Sequence, residues 1–380
     1  MTNLEEELRA LFAERVGSLP PAGGPAERVI GAARRLRRRR ELAGLVGVFV
    51  LVLAGVSFQV VRGHGARVTT IVVPAASAYV AATQPAIKLD LRVGNQLWTS
   101  DGRRLALTGV GAVTWAYRVP AGWVYGGATG TLRLLTPDGR PVGTPLPAAA
   151  ATVSPDGQEV ASVSDANGSR TLIVGRLGLG GADPVAKAQL TDHAVPVAFV
   201  GASVVLGRAD GTGRISAYGF WDPSGPVSLR WNTGIADVYG GSGSRLVGLV
   251  KGAPNNPDGC LSYFDLDGTV GLRPAAIGGC DLGLTVGAAQ AAARSPSGKW
   301  LADQTDSGLA FIDLASGNPD RTSAYCRVRG RGAPVWEDDS EVLVPTDTGL
   351  VQCEADGVGE PVMISGLPAG DWNLVPALGR

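Results

Sequence analysis

Histidine, methionine and net charge are all scarce in this 380-residue chain. It contains two histidines, two methionines and four cysteines, and 34 basic residues balance 34 acidic ones. A neutral chain has no overall electrostatic attraction for nucleic acid, so we predict no nucleic-acid partner. With only His64 and His193 available, a metal site built from imidazoles is close to excluded. We predict neither a metal nor a cofactor.

Motifs of the common enzyme classes are missing as well. A Ser-His-Asp triad would depend wholly on His193, and there is no G-x-S-x-G nucleophile elbow. The glycine run at Gly178–Gly181 lacks the strand–loop–helix context of a phosphate-binding loop and indicates a turn. The acidic stretches 264–268 and 337–341 lack the full ligand pattern of a calcium loop and also indicate turns. We therefore predict no catalytic residues.

Glycine and proline are abundant instead. The chain has 55 glycines and 25 prolines, while 45% of its residues are hydrophobic. That apolar content excludes a disordered chain. Short apolar runs separated by turn residues are typical of an all-β protein.

One long apolar run lies near the N-terminus. Residues 42–61 carry no charge, and twenty helical residues reach about 30 Å, the thickness of a bilayer core. Before it lies a basic cluster, which includes Arg34, Arg35, Arg37, Arg38, Arg39 and Arg40. The positive-inside rule then predicts a single-pass cell-membrane protein, with a cytoplasmic N-terminus and an extracytoplasmic C-terminal domain. A cleavable signal peptide is the alternative, but the segment before the apolar run is unusually long for one.

The flanking segments complete the predicted domain order. Residues 1–41 form an Arg-rich cytoplasmic segment with an amphipathic helix at 4–19. Residues 62–86 form a stalk rich in Ala, Val and Thr, and residues 87–380 form the extracytoplasmic domain. Besides the lipid that surrounds the anchor, anionic lipid would be attracted by the basic cluster at about 1 kcal/mol per arginine.

The four cysteines all lie after the apolar run. Their even number in an exported domain predicts two disulfides. We favour the pairs Cys260–Cys280 and Cys326–Cys353 among the three possible connectivities, because each closes a short loop. Free buried thiols are the alternative.

A repeated phrase reveals the architecture of the large domain. The stretch SPDGQEVASVS at 154–164 returns in altered form as SPSGKWLADQT at 295–305. Each copy is a tight turn followed by an alternating strand. With four weaker copies included, the residues that lead each unit are Trp115, Val153, Phe199, Tyr239, Arg294 and Trp336. They are 38 to 55 residues apart, and a period near 40–45 residues is typical of four-stranded propeller blades.

The two ends of the domain complete the count of blades. The C-terminal stretch restarts the phrase at Trp372 and then stops, whereas residues 87–109 hold three strands without a leading one. One strand from the end and three from the start make a full blade, which closes the ring and removes open sheet edges. We predict an all-β, seven-bladed β-propeller, with six blades as the alternative because the interval between Tyr239 and Arg294 is long.

The two clean copies of the phrase resemble those of bacterial WD-repeat and TolB-like β-propellers. The resemblance extends by repeat logic over residues 87–380 and implies a fold rather than an activity. The Trp-Asp and Gly-His signatures of WD repeats do not recur from blade to blade. The anchored layout is similar to that of actinobacterial envelope proteins with a short Arg-rich cytoplasmic tail.

The tryptophans form two groups according to their position in the repeat. Those at leading positions are predicted to pack between blades. Three others lie outside the register and are the best exposed candidates for a partner or glycan surface: Trp98, Trp221 and Trp231.

Three functions are compatible with this pattern. A binding or scaffold module for a protein, peptide or envelope component is favoured, because rigid loops give a broad recognition surface. A transmembrane regulator, whose cytoplasmic helix holds a partner such as a sigma factor, is the second. A propeller-type hydrolase or lyase is the third, and it requires carboxylates that face the central channel.

Overall fold

The computed structural model describes residues 87–379, except for residues 167, 243, 252–258, 281, 283, 285–292, 306, 316–321 and 357–359. These residues belong to one compact unit that begins at Tyr79. The predicted cytoplasmic segment, its six arginines, the membrane helix and the stalk all lie outside the described residues. Within the described part of the chain, no helix combines the length and apolar character needed to cross a bilayer.

The described strands form seven antiparallel sheets, which we call blades 1 to 7 in chain order. Blade 1 contains β1 (Asp90–Val93), β2 (Gln96–Trp98) and β3 (Arg104–Ala106). Blade 2 contains β4 (Val113–Val119), β5 (Gly122–Gly127), β6 (Thr131–Leu135) and β7 (Pro141–Pro147). Blade 3 contains β8 (Ala150–Val153), β9 (Glu159–Ala166), β10 (Ser169–Gly178) and β11 (Gly181–Leu190). Blade 4 contains β12 (Ala194–Val200), β13 (Ser203–Ala209) and β14 (Ile215–Trp221).

The remaining blades follow the same plan. Blade 5 contains β15 (Ile235–Ser242), β16 (Arg245–Val250), β17 (Cys260–Asp267) and β18 (Gly271–Ile277). Blade 6 contains β19 (Trp300–Thr305), β20 (Gly308–Asp313) and β21 (Thr322–Cys326). Blade 7 contains β22 (Val335–Trp336), β23 (Glu341–Thr346), β24 (Gly349–Glu354) and β25 (Val362–Ile364). The last strand, β26 (Trp372–Val375), belongs to blade 1.

The last strand closes the ring as predicted. β26 pairs antiparallel with β1, and the register places Trp372 opposite Val93 and Val375 opposite Asp90. Blade 1 therefore has the strand order β26-β1-β2-β3, with its innermost strand taken from the opposite end of the chain. The seven-bladed prediction is confirmed, and the six-bladed alternative is wrong.

Packing between neighbouring blades supplies the core. Seven clusters of buried apolar side chains fill the seven interfaces, including one between blades 7 and 1. Phe199 packs between blades 3 and 4, and Trp336 packs between blades 6 and 7. Burying each such side chain stabilises the fold by about 1.5–3 kcal/mol. Alternating residues point to opposite faces of a blade, so each blade has an apolar side for each neighbour.

Two blades have fewer regular strands than predicted. Among the described residues, the fourth strand of blade 4 is reduced to a bridge between Tyr218 and Asn232, and the first strand of blade 6 to a bridge between Arg294 and Leu301. Pro226 precedes the first of these segments and Pro296 follows Arg294. Pro155 follows Val153 at the same spacing as Pro296 follows Arg294, yet β8 is a regular strand, so these prolines do not by themselves account for the short strands.

The repeated phrase forms a turn that is stabilised by its own side chains. Ser154 donates a hydrogen bond to the Asp156 carboxylate at 2.5 Å and accepts one from the Glu159 backbone N–H at 2.8 Å. Gly157 has a φ of +67°, and a Cβ there would lie 2.7 Å from Cδ of Pro120 in blade 2. The SPDG sequence therefore determines both the turn and its close contact with the neighbouring blade.

One face of the ring carries both ends of the domain. In each antiparallel blade, the turns from strand one to two and from three to four lie at the same end. The chain enters blade 1 at this end, before β1, and finishes there after β26. We call this end the terminal face.

Both predicted disulfides are confirmed. Cys260 pairs with Cys280 within blade 5, and Cys326 of β21 pairs with Cys353 of β24. The second bond therefore links blade 6 covalently to blade 7. The alternative of free buried thiols is wrong.

Candidate functional site

The central channel opens on the terminal face through a cavity of about 210 Å³, which we call the mouth cavity. Blades 3 to 7 each contribute their leading residue to its wall: Val153, Phe199, Tyr239, Arg294 and Trp336. The repeated position that identifies the fold therefore also builds the cavity. No described residue on this wall carries a carboxylate.

The C-terminal tail, residues 376–379, forms one side of the mouth. The Arg118 N–H donates to the Pro376 carbonyl at 2.8 Å, and the Leu378 N–H donates to the Arg118 carbonyl at 2.9 Å. The Gly379 N–H then reaches the Pro155 carbonyl in blade 3 at 2.9 Å. The tail therefore extends from blade 1 across blade 2 to blade 3.

The same tail separates two cavities. Ala377, Leu378 and Gly379 line the mouth cavity and also a second cavity beside Lys88 and Arg118. A Cβ on Gly379, whose φ is +73°, would lie 2.2 Å from the Asp156 carbonyl oxygen. Only glycine fits this position, so the tail is tightly seated against the blade 3 turn.

Arg294 is the charged residue on the cavity wall. Its side chain is half-buried, and its Nε is buried without a hydrogen-bond partner. Burial lowers the pKa of its guanidinium to about 10, which the Tyr263 phenol opposes. Arg294 gives the mouth cavity a positive charge beside a wall that combines apolar residues with the serines of the SPSG turn.

A buried tyrosine–aspartate pair lies next to the cavity. The hydroxyl of Tyr239 donates to Asp303 Oδ2 at 2.6 Å, and the Gln304 N–H donates to Oδ1 at 2.9 Å. Asp303 is 2% exposed, and burial raises the pKa of its carboxyl to about 6. Burial also raises the pKa of Tyr239, so its phenol stays protonated at neutral pH.

A second buried carboxylate lies between blades 1 and 2. Asp90 accepts a hydrogen bond from Trp123 Nε1 at 2.6 Å and one from the Ser100 N–H at 2.7 Å. Arg118 lies 3.6 Å from the same carboxylate and also stands over the Trp123 ring. This carboxylate therefore has two donors and a cation.

The three tryptophans predicted to be exposed are not gathered on one surface. Trp221 is only 4% exposed, and its Nε1 donates to the Gly225 carbonyl, so its predicted exposure is wrong. It packs in the core between blades 3 and 4, which the strand pattern alone did not reveal. Trp98 and Trp231 are half-buried under the guanidinium groups of Arg104 and Arg208. They belong to different blade interfaces, and their role in binding stays a prediction.

Neither a histidine nor a metal-binding cluster is found at the mouth cavity among the described residues. His193 is exposed in the connection between blades 3 and 4 and does not line the mouth cavity. Over the described residues, no group of three or more His, Cys, Asp or Glu side chains is placed to hold a metal ion.

In the sequence, the leading residues indicated the repeat and, for the tryptophans, packing between blades, but they did not predict a cavity. Arg294 was visible there as a charged residue in a series that is otherwise apolar or aromatic, and this was the available signal for the mouth cavity. Asp303 had no such signal, because its partner Tyr239 lies 64 residues away in a different blade.

Comparison with known proteins supports the fold of the chain and gives no information about its function. No protein-family profile and no curated protein matches the chain. The solved structures that it resembles include a functionally unknown protein from Desulfotomaculum acetoxidans, with 11% identity, a TM-score of 0.49 and coverage of 76% of this chain and 99% of that one. Apo AztD from Citrobacter koseri shows 15% identity and a TM-score of 0.45 over 75% and 96% of the chains. The β-propeller domain of the Trilobed protease from Pyrococcus furiosus shows 10% identity and a TM-score of 0.42 over 73% and 90%. At these values the likeness concerns the overall architecture and says nothing about a ligand or an activity.

Proposed function

We propose that this chain is a membrane-anchored, extracytoplasmic β-propeller that binds a protein, peptide or envelope component at the mouth cavity. The cavity is the observation that carries the proposal. It is recessed, its walls come from five blades, and strand pairing and interblade packing hold those walls in place. Concave sites with apolar walls and a few polar groups are where proteins usually bind ligands.

The rigidity of the ring supports a binding role. Five wall residues lie on or beside innermost strands, and neighbouring blades hold them on both sides. A site on a preorganised scaffold loses little conformational entropy when a ligand binds. The mouth cavity therefore needs no rearrangement of the blades to accept a partner.

The disulfides support the extracytoplasmic location. All four cysteines are paired, and such bonds persist in oxidising compartments. The apolar run at 42–61, with arginines before it and cysteines after it, predicts the same orientation. The regulator and hydrolase interpretations stay predictions.

Site-specific photocrosslinking tests the binding role. A benzoylphenylalanine at Ser297, which is exposed at the rim of the mouth, should yield one adduct of defined mass in cells. The matched control is Val185, which is 50% exposed on the outer strand of blade 3. An identical adduct at both positions, or none at Ser297, would contradict binding at the mouth.

Surface labelling tests the location. Lys187 and Lys299 are exposed on the propeller, so a membrane-impermeant amine reagent should modify both in intact cells. Modification only after the membrane is ruptured would place the propeller in the cytoplasm and overturn the proposal.

A further inference from the structure

Arg294 breaks the rule that the other six blades follow. The residue at the leading position is Trp, Val, Phe, Tyr or Trp in blades 2, 3, 4, 5 and 7, and Trp372 of β26 in blade 1. In blade 6 it is an arginine. Positions where a charge replaces a consistently apolar residue are where function, rather than folding, selects the side chain.

Among the residues that the structure describes, none supplies an anion that pairs with the guanidinium of Arg294. Its Nε is buried, and no described side chain pairs with it. The buried carboxylates differ in this respect, since Asp90, Asp303 and Glu337 all accept hydrogen bonds. A half-buried cation without a partner is costly, and an anionic ligand is what relieves that cost.

Nearby hydroxyls add donors for such an anion. Ser295 and Ser297, in the SPSG turn, line the same cavity. Ser295 Oγ accepts from the Trp300 N–H at 3.1 Å, and Ser297 Oγ accepts from the Lys299 N–H at 3.2 Å. The two hydroxyls also lie 3.5 Å apart, and either can donate to the other, so at least one of them keeps a proton for an anion. The Ser297 N–H is already occupied, because it donates to Asp339 at the rim.

The size of the cavity limits the ligand. The cavity of about 210 Å³ is somewhat larger than an engineered cavity of about 150 Å³ that binds benzene. That is enough for a small charged group but too little for a whole folded segment. The cavity is recessed, and a charge-assisted hydrogen bond is stronger where contact with bulk water is reduced.

We infer that Arg294, with Ser295 and Ser297, binds a compact oxyanion in the mouth cavity, namely a carboxylate or phosphate group of the partner. The inference deepens the proposed function and depends on it. Arg294 recognises the charge through its fork of N–H donors, and the two serines complete the shell.

Thermal unfolding of the full chain tests the inference. Millimolar inorganic phosphate, against chloride at matched ionic strength, should raise the unfolding midpoint of the wild type in a saturable way. A peptide Ala-Ala-Ala with a free C-terminal carboxylate, compared with its C-terminal amide, tests the other source of the oxyanion. Stabilisation by phosphate alone identifies a phosphate site, and by the free peptide alone a carboxylate site. No stabilisation by either overturns the inference.

Two leucine variants separate recognition from folding. In Arg294→Leu, apparent affinity for the effective probe should fall at least about tenfold, while stability in chloride should equal or exceed that of the wild type, since the apolar residue of the other blades is restored. Arg133→Leu is the matched control, because Arg133 also has a buried Nε without a partner but does not line the mouth cavity. Its response to the probe should be unchanged. Arg294→Lys, which keeps the charge but loses the fork, should retain a weakened response.

The results also distinguish this inference from the proposed function. If the Ser297 photocrosslink persists in Arg294→Leu and neither probe stabilises the wild type, the mouth binds a partner without oxyanion recognition. If Arg294→Leu and Arg133→Leu lose the probe response equally, the arginine acts through general stability, and the inference fails.

Discussion

Two interfaces of the ring each contain a buried carboxylate, but the charged groups around the two carboxylates differ. Between blades 1 and 2, Asp90 receives the Trp123 indole N–H, the Ser100 N–H and the nearby Arg118 cation. Between blades 5 and 6, Asp303 receives the Tyr239 hydroxyl and the Gln304 N–H but has no described cation beside it. The cation of the second interface, Arg294, lies on the mouth cavity instead, and its buried Nε has no hydrogen-bond partner among the described residues.

On our proposal, the difference distinguishes an interface that only stabilises the ring from one that also lies beside the binding cavity. The first interface contains the closing strand, where charge compensation is complete and favours a permanent contact. In the second interface the carboxylate is partly neutralised by proton uptake near pH 6, since burial raises the pKa of Asp303 to about 6. In this proposal, one interface of the ring holds the closing strand, and another contributes to the binding of a partner.

Removal of the closing strand should have the largest effect. A chain that ends after Asp371 lacks Trp372, Leu374 and Val375, all of which are buried. At about 1.5–3 kcal/mol per side chain, the loss approaches the total stability of a typical domain, and cooperative unfolding should disappear. Denaturant titration measures it.

The control for this experiment ends after Val375. It keeps β26 but loses the tail and its three backbone hydrogen bonds, so we expect a cost of about 1–3 kcal/mol. A chain ending after Asp371 that unfolds at the wild-type midpoint would show that β26 does not close the ring.

The substitution Asp90→Asn should have an intermediate effect. The amide must present its NH₂ group to either the Trp123 indole N–H or the Ser100 N–H, and neither can accept a hydrogen bond. Arg118 also loses its counter-charge. We expect a loss of about 2–4 kcal/mol in the free energy of unfolding at pH 7, measured by urea titration.

The matched substitution Asp303→Asn should have the smallest effect at pH 7. Here the amide oxygen can accept from the Gln304 N–H while the NH₂ group donates to the Tyr239 hydroxyl, which can reverse its role. The change in unfolding free energy should lie within about 1 kcal/mol. A loss as large as that of Asp90→Asn would remove the contrast between the two interfaces.

The same variant should alter the pH dependence of stability. Because the folded pKa of Asp303 is raised from an ordinary value of 3.8 to about 6, the folded state binds its proton more tightly. This group therefore contributes stability that is fully present below about pH 4 and is lost as pH rises through about 6. The wild type should gain up to about 3 kcal/mol relative to Asp303→Asn between pH 7 and pH 4. Equal pH profiles for the two proteins would contradict the buried environment of Asp303.

Local patterns in the sequence predicted much of the fold. The leading residues and the closing strand are where the repeat predicted them, and both disulfides join the cysteines that the short loops favoured. Each depends on short-range features: alternation along a strand, glycine in a turn, or loop length between cysteines. Blades 4 and 6 departed from the pattern, because one strand of each is reduced to an isolated bridge among the described residues.

The candidate site was much less predictable. The sequence marked Trp221 as exposed because it lies outside the repeat register, yet it is packed between two blades. Arg294 was seen only as a marker of the repeat, and the tail beyond Val375 carried no signal at all. These features depend on which residues of distant blades meet, which strand periodicity does not encode.

The sequence by itself determined the number of blades, the closure of the ring and the disulfide pairs, because each follows from a repeated or nearest-neighbour pattern. Only the tertiary structure decided that five leading residues and the tail enclose one cavity, that Arg294 lacks a partner there, and that Asp303 meets Tyr239. The physical reason is that a closed ring brings innermost strands from the whole chain around one axis. Side chains that are far apart in the sequence therefore come into contact, because the circular arrangement of the blades places their strands side by side.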